Sequence, residues 1–162
     1  MTRVYTQKAR KDYPRFGIKK GDTYHRWAFF RQPERMGLTY PTRSQLTNDE
    51  GKQILYSAYD GFSVGEDFSA SDLQILIDEV QSAADSFRER FDNMPEGLQQ
   101  GDTGQMLEEN ANSCESAVSQ LEDLMSTLEG EEDERDSEYR DDGEWNAEAI
   151  QEAVSGTEPD LQ

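Results

Sequence analysis

The sequence predicts an α+β protein: a small antiparallel β module, then an antiparallel, coiled-coil-like α-helical hairpin, then a disordered acidic tail. Three observations carry this. An aromatic, β-prone run at Thr23–Arg31 lies between turn residues. Two long stretches further on place apolar residues at steps of three and four, the spacing of a buried helix face. The charge is split: residues 1–47 hold eleven Lys/Arg against three Asp/Glu, a net +8, and the remainder holds five against thirty-two, a net −27.

Residues 1–47 form the basic aromatic β module. Arg3–Arg10 contains Val4, Tyr5 and Thr6, which suit a strand. Pro14, Gly17 and Gly21-Asp22 punctuate turns, and Thr23–Arg31 (TYHRWAFFR) is the strongest strand. Pro33–Gly37 is expected to turn the chain, and Leu38–Tyr40 to make a short third strand that stops at Pro41.

Residues 48–130 form the helical region. Each of three helices opens on a capping-box pattern, in which a side chain and a backbone N–H three residues apart satisfy each other. Thr47 with Glu50 opens a short helix ending near Asp60-Gly61. Ser71 with Gln74 opens one over 72–93, and Asp102 with Gln105 opens one over 103–129, stopping at Gly130. In the last, Leu107, Ala111, Cys114, Val118, Leu121, Met125 and Leu128 alternate steps of four and three, a heptad seam. In the one before it, Leu73, Leu76, Val80, Ala83 and Phe87 do the same, widened by Ile77, Ala84 and Phe91. The short link makes the two helices antiparallel neighbours. The seam serves either as the core of this hairpin or as a dimer interface.

Residues 131–162 are read as a mostly disordered acidic tail. The stretch 129–144 holds ten acidic residues against two arginines, so like charges repel and little apolar surface is available to bury. Asn146 is positioned to cap a last turn through Ile150 and Val154, which with Trp145 dock onto a partner or onto the protein itself.

Of the 162 residues, 33% are apolar and 31% charged, and the net charge is −19. That balance argues against a large single core and favours solubility. The lone cysteine, Cys114, and lone histidine, His25, exclude an intrachain disulfide and a Cys/His zinc site. The N-terminus has no apolar signal region, and no stretch approaches the ~20 apolar residues of a membrane span. A cytoplasmic protein is expected, with no membrane association, cofactor, metal site or evident small-molecule substrate.

Two blocks carry a family resemblance. Lys8–Tyr24 (KARKDYPRFGIKKGDTY), followed by Trp27, and Asn93–Glu109 (NMPEGLQQGDTGQMLEE) resemble parts of small proteins encoded by tailed phages and mobile elements. That family has no assigned activity. The resemblance implies a two-part architecture and a phage or prophage setting, hence a bacterial host cytoplasm. The acidic tail lies outside the resembling blocks.

The leading functional expectation is a non-enzymatic interaction protein that docks a protein partner, including a second copy of itself, through the acidic helical hairpin. A second reading assigns single-stranded nucleic acid to the basic module. There Lys8, Arg10, Lys11, Arg15, Lys19, Lys20 and Arg26 would neutralise phosphates while Tyr24 and Trp27 stack on bases. A third has the acidic half imitate DNA phosphates and inhibit a host DNA-binding protein. A fourth is a virion component. Catalysis is not expected: Cys114 and His25 fall in modules of different kinds, and GDTG (Gly101–Gly104) lacks the lysine and spacing of a phosphate-binding loop.

Overall fold

The computed structural model describes residues 2–162, which form two compact units meeting in sequence between Asp49 and Glu50. The architecture is α+β: a small antiparallel sheet followed by helices.

The first unit is a three-stranded sheet ordered β1 (Tyr5–Lys8), β2 (Thr23–Trp27), β3 (Arg35–Gly37). Tyr5 lies opposite Arg26 across one ladder, and Arg26 opposite Met36 across the other. The long β1–β2 connection is tied at its base, where the Ala9 N–H donates to the Asp22 carbonyl and the Gly21 N–H to the Ala9 carbonyl, both at 2.8 Å. The Asp12 and Asp22 carboxylates accept the backbone N–H groups of Lys20 (2.6 Å) and Lys19 (2.8 Å). These bonds fix the lysine turn and leave both ammonium groups exposed. Ala9, Ile18 and Tyr24 form the small core, with Tyr13 and Met36 against it.

Two strand boundaries differ from expectation. The strand predicted through Arg31 stops at Trp27, and the third strand lies at Arg35–Gly37 rather than Leu38–Tyr40. Propensity favours a longer β2, but only three residues of β3 stand opposite it. Ala28–Arg31 therefore has no ladder to join. The chain turns there instead, with Arg31 in the left-handed region at φ 60°.

The second unit holds α1 (Glu50–Gly61), α2 (Leu73–Asp92), a single turn α3 (Glu96–Gln99) and the 30-residue α4 (Asp102–Glu131). A two-stranded ribbon of β4 (Arg140–Asp141) and β5 (Glu144–Trp145) and a last helix α5 (Ala147–Gly156) follow. The α2 cap sits two residues earlier than predicted. Ser69 and Asp72, not Ser71 and Gln74, make the reciprocal capping box, on a 3-10 turn that buries Ala70 and leads into α2. At the other end, the Gln99 amide donates to the Phe91 (3.1 Å) and Met94 (3.0 Å) carbonyls, satisfying groups left open as α2 ends.

Within GDTG, Gly101 is the N-cap of α4, while Gly104 lies inside the helix's first turn and is there for closeness. A Cβ on it would stand 2.1 Å from the Gln99 carbonyl oxygen. Only a residue without a side chain lets α4 start this close to α3.

The predicted seam residues Leu73, Leu76, Val80, Ala83, Phe87, Leu107, Ala111, Cys114, Val118, Leu121 and Leu128 are buried in one core, and Met125 packs partly buried against it. Each large aliphatic side chain there contributes about 2 kcal/mol by leaving water. The core is wider than a two-rod seam. Leu55, Ala58 and Tyr59 of α1 and Ile150 and Val154 of α5 share it, and α4 also buries Ala117, Leu124 and Asn110. Asn110 Oδ1 accepts the backbone N–H of Gln162 at 3.0 Å.

The expectation of a disordered tail over 131–162 does not describe this segment. Asp142-Gly143 has positive φ at both residues (49° and 87°) between paired strands, the turn that an Asp-Gly dipeptide favours in a two-residue hairpin. Both arginines of this segment are engaged. Arg135 pairs with Asp142, while Arg140 bonds the Glu132 carbonyl (2.6 Å) and lies 4.5 Å over the Trp145 ring. Trp145 meets Phe68 edge-on at 5.9 Å. Asn146 caps α5 through the Ala149 N–H as predicted, and Ile150 and Val154 dock onto the protein's own core.

Candidate functional site

In the first unit, eleven Lys/Arg face four Asp/Glu, a net +7; Glu50–Gln162 holds five against thirty-one, a net −26. The change of sign and the change of fold fall within a few residues of each other. Each unit therefore presents its own electrical face.

On the basic unit, Lys8, Arg10, Lys11, Arg15, Lys19 and Lys20 are exposed and Arg26 is half-buried. Tyr24 and Trp27, predicted to stack on bases, are not free to do so. Tyr24 is 2% exposed, in the core, and its hydroxyl accepts from the Gln7 amide. Trp27 is 6% exposed, and its indole N–H donates to the Gln45 carbonyl at 3.1 Å. Both side chains pack inside the module itself, which leaves neither ring face open to a base.

Other rings take the surface. Phe30 is 87% exposed, Tyr40 62%, Tyr5 52% and Phe16 37%. Arginines lie against several rings: Arg26 over Tyr5 (5.2 Å), Arg31 over Phe30 (5.0 Å), Arg35 over Phe29 (5.1 Å) and Arg15 near Phe16 (6.0 Å). Arg15, Phe16 and Arg35 also line a groove of about 500 Å³, together with Gln32 and Gln45, with Trp27 and Met36 in its wall. Its one carboxylate, Glu34, is paired with Arg26 at 2.6 Å. The signal for these rings was the FF pair at Phe29-Phe30, which strand propensity assigned to the sheet.

On the acidic unit, a second groove of about 520 Å³ lies between the end of α1, the 62–68 connection and the start of α2. Phe62, Phe68, Ile75 and Leu76 supply apolar lining, and Ile75 is 66% exposed. Glu66, Asp67, Asp72 and Glu79 also line it, all exposed, and the lining contains no Lys or Arg. Sequence reasoning missed this groove, since Ile75 reads as one more apolar residue near the seam.

Exposed carboxylates continue along α2 (Asp78, Asp85, Glu89, Asp92) and α4 (Glu108, Glu109, Glu122, Asp123, Glu129). Arg88 adds a polar link between the two helices, donating to both Glu115 oxygens (2.9 and 3.0 Å) and to Asn112 (2.7 Å). The hydrogen bonds from Arg88 hold the Glu115 carboxyl below its ordinary range. Half-exposed pairs of this kind contribute at most about 1 kcal/mol, so they orient the helices more than they hold them.

Cys114 is fully buried, and burial pushes its thiol up to about 12. His25 lies in the other unit, its Nδ1 bonded to Thr6 Oγ1 at 2.9 Å. Among the described residues, no group of three or more His, Cys, Asp or Glu could hold a metal ion, and no helix is long and apolar enough to cross a membrane. Comparison of the chain with protein-family models, curated proteins and solved structures gave no match.

Proposed function

We propose that this chain is a non-enzymatic interaction protein whose acidic helical unit docks a protein partner through a cationic segment carrying an apolar anchor. In this reading α2 and α4 act as an antiparallel pair, a rigid support for the docking face. The setting is a bacterial cytoplasm during phage infection or lysogeny, as the sequence resemblance implies. The observation that carries the reading is the α1–α2 groove, where apolar lining meets four carboxylates and no cation. Such a site rewards a segment that brings positive charge around one buried side chain, and its field speeds capture.

The test is binding of the full chain to a lysine-rich peptide with a central leucine or phenylalanine, and capture of proteins from infected cells. Binding is expected to weaken with salt and to be lost in an Ile75→Asp, Glu79→Lys double variant. Equal binding by that variant sinks the reading. The carboxylates along α2 and α4 support a narrower second version, in which the partner is a DNA-binding protein and the helices occupy its DNA groove. Competition with DNA for the captured protein decides it.

A further inference from the structure

We infer that the basic unit carries a second, independent binding site, one for single-stranded nucleic acid. The site is the groove bounded by Arg15, Phe16, Gln32 and Arg35, extended by the Phe30-Arg31 loop tip. It does not depend on the acidic groove, which lies in the other unit.

Four observations converge on this occupant. First, the exposed rings are concentrated in the smaller unit: Tyr5, Phe16, Phe30 and Tyr40 all precede Asp49. Of these, Phe16 lines the groove, and Phe30 stands two residues before Gln32 of its wall. Second, the rings come with cations. Arg31 lies over Phe30, and Arg35, a groove residue, lies over Phe29. A flat ring backed by a guanidinium offers one face to a nucleobase and a charge to the adjoining phosphate.

Third, these cations are available. Neither Arg15 nor Arg35 has an ion-pair partner among the described residues, and the groove's carboxylate is taken by Arg26. Fourth, the loop tip is shaped before any ligand arrives. Arg31 occupies the left-handed region at φ 60°, and the Gln32 N–H donates to the Phe29 carbonyl at 3.0 Å. This turn sets Phe30 out in solvent.

A duplex fits the arrangement poorly, because its bases are already stacked on each other. A single strand can lay its bases on the rings. The chain's overall −19 does not forbid this, since the field between exposed charges fades over about 8 Å at physiological salt. Lys19 and Lys20, on their braced turn, add charge to the same unit.

The test is fluorescence anisotropy of the full-length protein with a labelled twelve-nucleotide oligo-dT, oligo-U and a duplex, at low and physiological salt. The intact protein is expected to bind a single strand well in excess of the duplex, with affinity falling as salt rises. Phe30→Ala and Phe16→Ala are each expected to weaken binding about tenfold, and Phe30→Trp to restore it. Arg15→Ala with Arg35→Ala is expected to flatten the salt dependence by about 1.4 in log–log slope. Phe30 and Phe16 are exposed enough for their variants to fold, which circular dichroism checks. No single-strand binding at low salt overturns the proposal. So does equal affinity for the duplex, or wild-type affinity in both phenylalanine variants. A lost peptide site in the acidic unit would leave these results unchanged.

Discussion

Phe87 and Phe30 show how differently the two units treat the same ring. Phe87 of α2 is completely buried in a core drawn from α1, α2, α4 and α5, while Phe30 of the basic unit is 87% exposed at a loop tip. The helical unit buries or half-buries its rings and most of its aliphatic side chains, Ile75 and Leu98 apart, and shows carboxylates. The sheet unit seals a core of a few side chains and leaves other rings outside. In the first, apolar residues serve stability; in the second, the exposed ones have little structural work, which is why a binding role for them has physical weight.

The largest expected effect tests the buried side of that contrast. Phe87→Ala should destabilise the helical unit by about 4 kcal/mol, combining lost transfer energy with an unfilled cavity. Urea unfolding followed by helical circular dichroism measures it. A loss under about 1 kcal/mol would mean that α2 is not packed as described. Next comes Gly104→Ala, expected to cost about 2 kcal/mol, because a methyl group there meets the Gln99 backbone rather than a side chain that can swing away. Alanine is the better helix former, so a helix that merely tolerated the glycine would be stabilised instead. The sign of the change separates these accounts.

The buried titratable groups of the helical unit make a third test. Burial raises Tyr59 to about 12, with its hydrogen bond to Thr157 opposing, and raises Cys114 to about 12 as well. An unfolded chain releases these protons near ~10 and ~8.5. Below about pH 8 both states keep them, and the contribution to stability is complete. Between about pH 9 and 12 the unfolded chain holds fewer protons than the native one, so stability falls as pH rises. Urea midpoints at pH 7.5 and 10.5 should show the decline. Tyr59→Phe with Cys114→Ala should lessen it, and an unchanged decline would remove these groups as its source. For the same reason the native thiol should resist a thiol reagent that reacts once the chain is unfolded.

The periodic elements were legible in the sequence because periodicity reports burial directly. Leu73 to Phe87 and Leu107 to Leu128 recur at helical spacing, and they are buried. What was not legible depended on contacts remote in sequence. Nothing local in Thr23–Arg31 says that the ladder ends at Trp27; that is decided by the three residues of β3 that stand opposite. The acidic stretch around Arg135 and Arg140 looked like pure repulsion by composition. Two arginine contacts and one Asp-Gly turn give it a ribbon, and only the Asp-Gly dipeptide was readable in advance. The candidate sites follow the same rule. The exposed cations were visible as composition, but the rings that accompany them were misassigned, because propensity cannot tell a buried Trp27 from an exposed Phe30.

The smallest expected effect completes the contrast. Phe30→Ser removes a ring that contacts solvent over most of its surface, so stability should change by no more than about 1 kcal/mol. The Arg31 guanidinium over the ring is the contact at risk among the described residues, and an exposed pair of that kind contributes about 0.5–1 kcal/mol at most. A loss of 2 kcal/mol or more in urea unfolding would show that the ring is packed, and the sheet unit would then hide its apolar surface as the helical unit does. A near-zero change beside the large cost at Phe87 would mean that Phe30 is dispensable for folding. Its reason for being in the sequence would then have to be sought in what the surface touches.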